Sequence, residues 1–197
     1  LIAGALALAK QLEVSSLHVL FPEVAEQATL QQHGFIPRRD CQFHWHNRGF
    51  ADFDAFLAGF RADKRKKANR ERRRIAEAGI EFRTLGGADI DAPLWDVIHE
   101  FSLNTFRRHG HDHYLSAAFF KHLAQALPEM IMVKLAIYRS RPVAAAIFFI
   151  GADTLYGRYW GAAADFDSLH FETCYYQGIE YCIERGLAHF EPGTQGE

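Results

Sequence analysis

Apolar side chains recur at helical spacing over residues 2–13 and give out near Val14-Ser15-Ser16. Leu17-His18-Val19-Leu20-Phe21 is a short apolar run closed by Pro22, which predicts a buried parallel strand. Glu23 to His33 predicts a helix stopped by Gly34 in a C′ position. From Phe35 to Asn47 the pattern alternates, with Cys41, Phe43 and Trp45 on one face and Gln42, His44 and His46 on the other. The first 47 residues therefore read helix, strand, helix, strand.

Asp52 is placed to cap a long helix running to about Ala78, with Gly79 after it. Its first half would bury Phe53, Phe56, Leu57 and Phe60. Its second half, Arg61 to Arg74, carries nine Lys or Arg against Asp63 and Glu71. Gly86-Gly87 to Pro93 reads as a loop. Two further helices are predicted over 94–107 and 116–127, joined by Arg108-His109-Gly110-His111-Asp112-His113. Met130 to Tyr138, Val143 to Ile150 and Leu155 to Gly161 read as three strands linked by tight turns. After the loop Ala162 to Ser168 comes a helix with the stripe Phe171, Cys174, Tyr175, Gly178, Ile179, Cys182 and Ile183. Gly186 ends it, and Leu187 to Glu191 is a final strand. Three antiparallel strands, a helix and another strand predict an α+β layered fold.

Length and composition narrow the class. The chain has 197 residues, 49% hydrophobic and 23% charged, which fits a folded domain and excludes a disordered one. Seventeen phenylalanines imply a well-filled interior. Cys41, Cys174 and Cys182 are an odd number with no C-x-x-C pair, so a reducing compartment is expected, the cytoplasm by default. The opening apolar run Leu1 to Ala9 is far below the roughly 20 residues that span a bilayer, so no membrane insertion is expected. The absence of an initial methionine and the helix from residue 2 predict a piece of a longer polypeptide. Open sheet edges at such a break would invite a second copy, so a homo-oligomer is a candidate assembly.

Several strings resemble the bacterial FemAB-like family, a branch of the GNAT acyltransferases with peptidoglycan-biosynthesis proteins among its members. They are Gln42-Phe43-His44-Trp45, Lys64-Arg65-Lys66 with Arg70-Glu71-Arg72, and Leu155-Tyr156-Gly157-Arg158-Tyr159-Trp160-Gly161. His170-Phe171-Glu172, Cys174 to Tyr181 and Phe190-Glu191-Pro192-Gly193 complete the set. The resemblance implies a GNAT-like fold with two tandem partial units and helices between. Residues 1–50 would close a first unit, 51–127 form a helical segment with its basic helix, and 128–197 supply the centre of a second. It also implies acyl or aminoacyl transfer to a small-molecule or peptide amine, with aminoacyl-tRNA as the donor that Fem-type enzymes use. One departure counts against acyl-CoA. Where an acetyl-CoA-dependent GNAT has a glycine-rich pyrophosphate loop before a helix, Gly161 to Ser168 offers Asp165 and Asp167 and no glycine series.

The densest polar constellation is Arg158, Tyr159, Trp160, His170, Glu172, Tyr175, Tyr176 and Gln177, which a strand end and the next helix would gather around one cleft, although Tyr175 also sits on the apolar stripe and reads as core. Acyl transfer needs a base for the amine proton and a donor for the oxyanion. His170 or Glu172 is the candidate base, and Tyr176 or Arg158 the candidate donor. Trp160, Gln177, Glu191 and Gln195 are expected to bind substrate at the same strand ends. Residues 61–74 carry a net charge of +7, which draws phosphate, with Lys64, Arg65, Lys66, Arg70 and Arg73 as its candidate contacts. A solvated basic face is the alternative. Aromatic residues do not interleave this run, so base stacking is not expected. His44 and His46 share a strand face, and His109, His111 and His113 crowd one turn. Zinc favours H-x-H spacing but also needs a third ligand and a second shell, and the sequence does not place that combination, so satisfied or solvated histidines, and no metal, are expected.

Overall fold

The computed structural model describes residues 1–39 and 41–193. The chain divides into two compact units, one of residues 1–41 and one from Gln42 onwards. The first holds helices α1 (Ile2–Gln11) and α2 (Val24–Gln32). Glu23 and Glu26 close a capping box at the start of α2. Residues 17–21 form no strand. No neighbouring strand pairs with them, and an apolar run without a ladder partner has nowhere to place its backbone donors except solvent. Leu20 and Phe21 are exposed accordingly.

The second unit is built on one six-stranded sheet in the order β1-β6-β5-β4-β3-β2. Its strands are β1 (Trp45–His46), β2 (Ile80–Gly86), β3 (Ile131–Tyr138), β4 (Arg141–Ile150), β5 (Thr154–Ala162) and β6 (His189–Glu191). All neighbours are antiparallel except β5 and β6, which run parallel. The sheet thus takes strands from all three predicted segments. The alternating stretch from Phe35 pairs only at Trp45–His46. β2 is not among the strands expected from the sequence, although Ile80-Glu81-Phe82-Arg83 alternates apolar and polar as a half-exposed strand does.

β3 and β4 are joined through Arg139 and Ser140, both at positive φ, as a two-residue hairpin turn of matching twist requires. Along β3 successive side chains alternate between two cores. Ile131, Val133 and Leu135 meet α5 (Ala92–Arg108) and α6 (Ala117–Ala126), around Trp95, Ile98, Phe101 and Phe120. Met132 and Ala136 face the opposite layer, which holds α3 (Phe53–Ala58), α4 (Ala62–Glu77) and α8 (Gln177–Arg185). Asp52 caps α3 by accepting from the Ala55 N–H at 2.7 Å. The single long helix expected over 52–78 is interrupted at residues 59–61, so α3 and α4 can turn separate apolar faces to the core.

The helix after β5 is not uniform. α7 (Leu169–Phe171) leads into a π-turn (Glu172–Tyr176), which leads into α8. The extra residue in the π-turn shifts the helical phase, so the predicted stripe fails at its start. Phe171 is exposed, and Leu169, Glu172 and Thr173 are buried instead. Among the described residues no helix is long and apolar enough to cross a membrane.

Candidate functional site

A cavity of about 510 Å³ opens where the C-terminal end of α5, the second half of β5, the loop 163–168 and α7 meet. β5 reaches it through an irregularity. Ile147 pairs with Tyr159 and Phe148 with Gly157, so Arg158 is an extra residue opposite none. A bulge of this kind bends the strand and reverses which face each later residue takes. Tyr159 therefore joins the α5–α6 core while Trp160 packs on the α7 side. Regular alternation would have put Arg158 and Trp160 together on one face. Arg158, Tyr159 and Trp160 all line the cavity, three successive residues that strict alternation would not turn to one place.

Arg158 is fixed by partners on both sides. Its guanidinium donates to the Gly157 carbonyl at 2.9 Å and to Glu191 Oε1 at 2.9 Å, and it lies over the Tyr156 ring. Glu191 also accepts from Gln42 at 3.0 Å. Burial works against this carboxylate, but the hydrogen bonds from Arg158 and Gln42 hold its pKa below the usual range. Glu191 thus acts on the cavity through Arg158. Gln195 lies outside the described residues.

His170, from α7, packs its ring 5.3 Å from that of Trp160 and 5.7 Å from that of Tyr175. Desolvation pushes its pKa below the ordinary imidazole value, although the residue as a whole is exposed. α5 contributes Phe106 and Arg108, with His109 just beyond its end, which the sequence offered only as part of a helix end and a turn. Arg108 pairs with Asp165 at 3.2 Å across the mouth, with both groups largely exposed.

Glu172, Tyr176 and Gln177 are not at this cavity. They belong to a polar network on the α4 side of the helix. Gln177 Nε2 donates to Glu172 Oε1 at 2.8 Å, and Lys134 Nζ to Gln177 Oε1 at 3.2 Å. Arg72 reaches Glu172 at 3.3 Å and Glu180 at 2.8 Å, and Tyr176 donates to Glu71 at 2.6 Å. Burial raises the Glu172 pKa against the opposing pull of Gln177 and Arg72. It lowers that of Lys134, which is 5% exposed. The single cleft read from the sequence is therefore two places. His170 and Glu172 are two positions apart, about 200° round the helix, so they point to opposite sides.

On α4, Lys64, Lys66, Arg70 and Arg73 are exposed and make no ion pair among the described residues, the last three on the side away from Ala68 and Ile75. Arg65 donates to the Ala58 carbonyl at 3.4 Å, and Arg74 pairs with Asp167. Of the histidines, His113 donates or accepts at Ser102 Oγ and packs on Phe106, and His46 meets His189 with 2.9 Å between Nδ1 atoms. Among the described residues no group of three or more His, Cys, Asp or Glu is arranged to hold a metal.

A mixed sheet with a parallel β5–β6 pair, helices on both faces and the cavity beside β5 defines a GNAT-like fold. The chain belongs to the FemAB-like family, described as peptidoglycan biosynthesis/recognition, whose model matches residues 1–197. Among solved structures it resembles FemX, at 11% identity and TM-score 0.55, covering 100% of this chain and 67% of that one. It also resembles the C-terminal domain of a putative lysylphosphatidylglycerol synthetase from Agrobacterium fabrum, at 14% identity and TM-score 0.53, covering 71% of this chain. The match spans 43% of that structure's length. No curated protein matches the sequence at a significant level.

Proposed function

We propose that the chain is part of an acyl- or aminoacyl-transferase acting on an amine acceptor, with the cavity beside β5 as the place of transfer. The observation that carries this reading is the meeting of His170, Trp160 and Arg158 at one cavity. An amine must lose a proton as it attacks an acyl carbon. An imidazole with a lowered pKa is neutral near pH 7 and can take that proton. A guanidinium already held by Glu191 is pre-aimed for the developing oxyanion or for a substrate carboxylate. Trp160 offers a flat apolar wall to the acceptor. The donor favoured is an aminoacyl-tRNA, with Lys64, Arg65, Lys66, Arg70 and Arg73 of α4 offered to its phosphates.

Coenzyme A is disfavoured by the junction after β5. Gly161 is committed to packing, since a Cβ there would overlap the Phe101 carbonyl, and Asp165 and Asp167 supply negative charge. On this reading residues 1–50 close a first GNAT-like unit and the reaction takes place in the cytoplasm. The same junction supports a second reading, a ligand-binding module that keeps the cavity without catalysis. Mass spectrometry of the full-length protein for copurified ligands, followed by transfer assays with that ligand class, separates the two. In a transferase, His170→Ala lowers turnover about a hundredfold or more and leaves the protein folded. Equal turnover in wild type, His170→Ala and Arg158→Ala would refute the assignment.

A further inference from the structure

The helix that delivers His170 to the cavity is tied, two residues later, to the far side of the layer. Glu172 opens the π-turn, and the Gln177 N–H closes it on the Glu172 carbonyl five residues back. The side chains repeat the same link, Gln177 Nε2 to Glu172 Oε1 at 2.8 Å. Arg72 of α4 then clamps Glu172 and Glu180 together, one at the start of the π-turn and one beyond it. Thr173 donates its hydroxyl to the Leu169 carbonyl at 2.7 Å, a bond that loosens the regular ladder of the helix at this point.

Two features show that this arrangement is not simply the cheapest packing. π-turns are rare, and a regular α-helix would keep a better hydrogen-bond ladder. Glu172 is 2% exposed, and its Oε2 is buried without a hydrogen-bond partner among the described residues. A buried, half-satisfied carboxylate costs stability. What it gains is phase. One residue more or less in a helix turns everything before it by about 100°. Without the π-turn, α7 would rotate relative to α8, and His170 would leave the face of Trp160 and the cavity.

We propose that Arg72 and Glu172 are positioning residues for His170, holding the π-turn so that the imidazole faces the cavity. The proposal rests on the cavity being the working site. It concerns a ring's surroundings, so it can fail or stand independently of any transferase activity. The test is the NMR titration of the His170 ring in the full chain, for wild type, Glu172→Gln and Arg72→Met, with the Trp160–His170 cross-peak as a second readout. Loss of phase moves the His170 midpoint back up toward the ordinary imidazole value and abolishes the cross-peak. A network that only packs α4 lowers the melting temperature and leaves both readouts as in wild type, and that result would overturn the proposal. Should either variant fail to fold, Arg72→Lys keeps a cation in place but loses the fork that reaches both Glu172 and Glu180. It is expected to move the midpoint in the same direction by less, and an unmoved midpoint and cross-peak there count against the proposal equally.

Discussion

Arg158 and Glu191 meet across the parallel β5–β6 pair, guanidinium to carboxylate at 2.9 Å, just where the paired residues of the two strands end. The pair is partly exposed, so its worth is that of a good surface bridge, about 0.5–1 kcal/mol. Because the folded Glu191 pKa is depressed, this stabilisation is present above the unfolded carboxyl value near 4.3 and is lost as pH falls through the folded value. Glu191→Gln is expected to melt below wild type at pH 7, with the gap closing in acid. Thermal melts from pH 7 to 3 check this, and a gap that widens in acid would contradict it.

Glu172 has the opposite sign. Its folded pKa is raised, first by burial, so its contribution is complete below the unfolded value and declines as pH rises through the folded one. Urea unfolding of wild type should show this decline relative to Glu172→Gln, which cannot titrate. Glu172→Ala also strips Arg72 and Gln177 of an acceptor, and is expected to cost about 3 kcal/mol. A profile for wild type parallel to that of Glu172→Gln would remove the titration from the account.

Gly161→Ala tests the close approach of β5 to α5. The added methyl would overlap the Phe101 backbone, which cannot swing aside as a side chain could. A loss of about 3 kcal/mol is expected, at the upper end of overpacking. Denaturant melts decide it, and a cost under about 1 kcal/mol would mean the two elements separate easily.

The outer face of α4 should be dispensable for folding. Lys66→Ala, Arg70→Ala and Arg73→Ala combined remove charges that make no ion pair among the described residues, so the melting temperature should change little. Affinity for tRNA should fall, and the slope of log affinity against log salt should flatten by about 2–3, close to one for each phosphate left unneutralised. An unaltered salt slope would leave the stripe as a solvated face.

The meander is legible because β3 and β4 are apolar on both faces and bounded by turn residues, and the GNAT-like order follows from it. What the sequence conceals are changes of period. The bulge at Arg158 and the π-turn at Glu172 each add one residue to a regular element, and nothing in the local residue types announces either. The single cleft also overlooks that His170 and Glu172 lie about 200° apart round even a regular helix, which by itself separates the network of Glu172, Tyr176 and Gln177 from the cavity of His170. β2 is short but does alternate, Ile80 and Phe82 against Glu81 and Arg83, and so is legible, whereas Leu17 to Phe21 misleads because an apolar run does not reveal whether a partner strand exists. The share of α5 in the cavity has no sequence signal, since Phe106, Arg108 and His109 meet β5 only through the packing of the layer.

β1 pairs with β6 through two residues only, and its His46 meets a partner 143 positions further along the chain. In kinetic terms this pairing closes the largest loop of the unit for the smallest return, so it forms after the meander and the β5–β6 crossover are in place. It is also the first to open. Amide exchange should find Trp45 and His46 unprotected long before the β3–β4 ladder loosens. Gln42, which steadies Glu191 and through it Arg158, leaves with them, so the cavity is complete only in molecules whose last strand has docked.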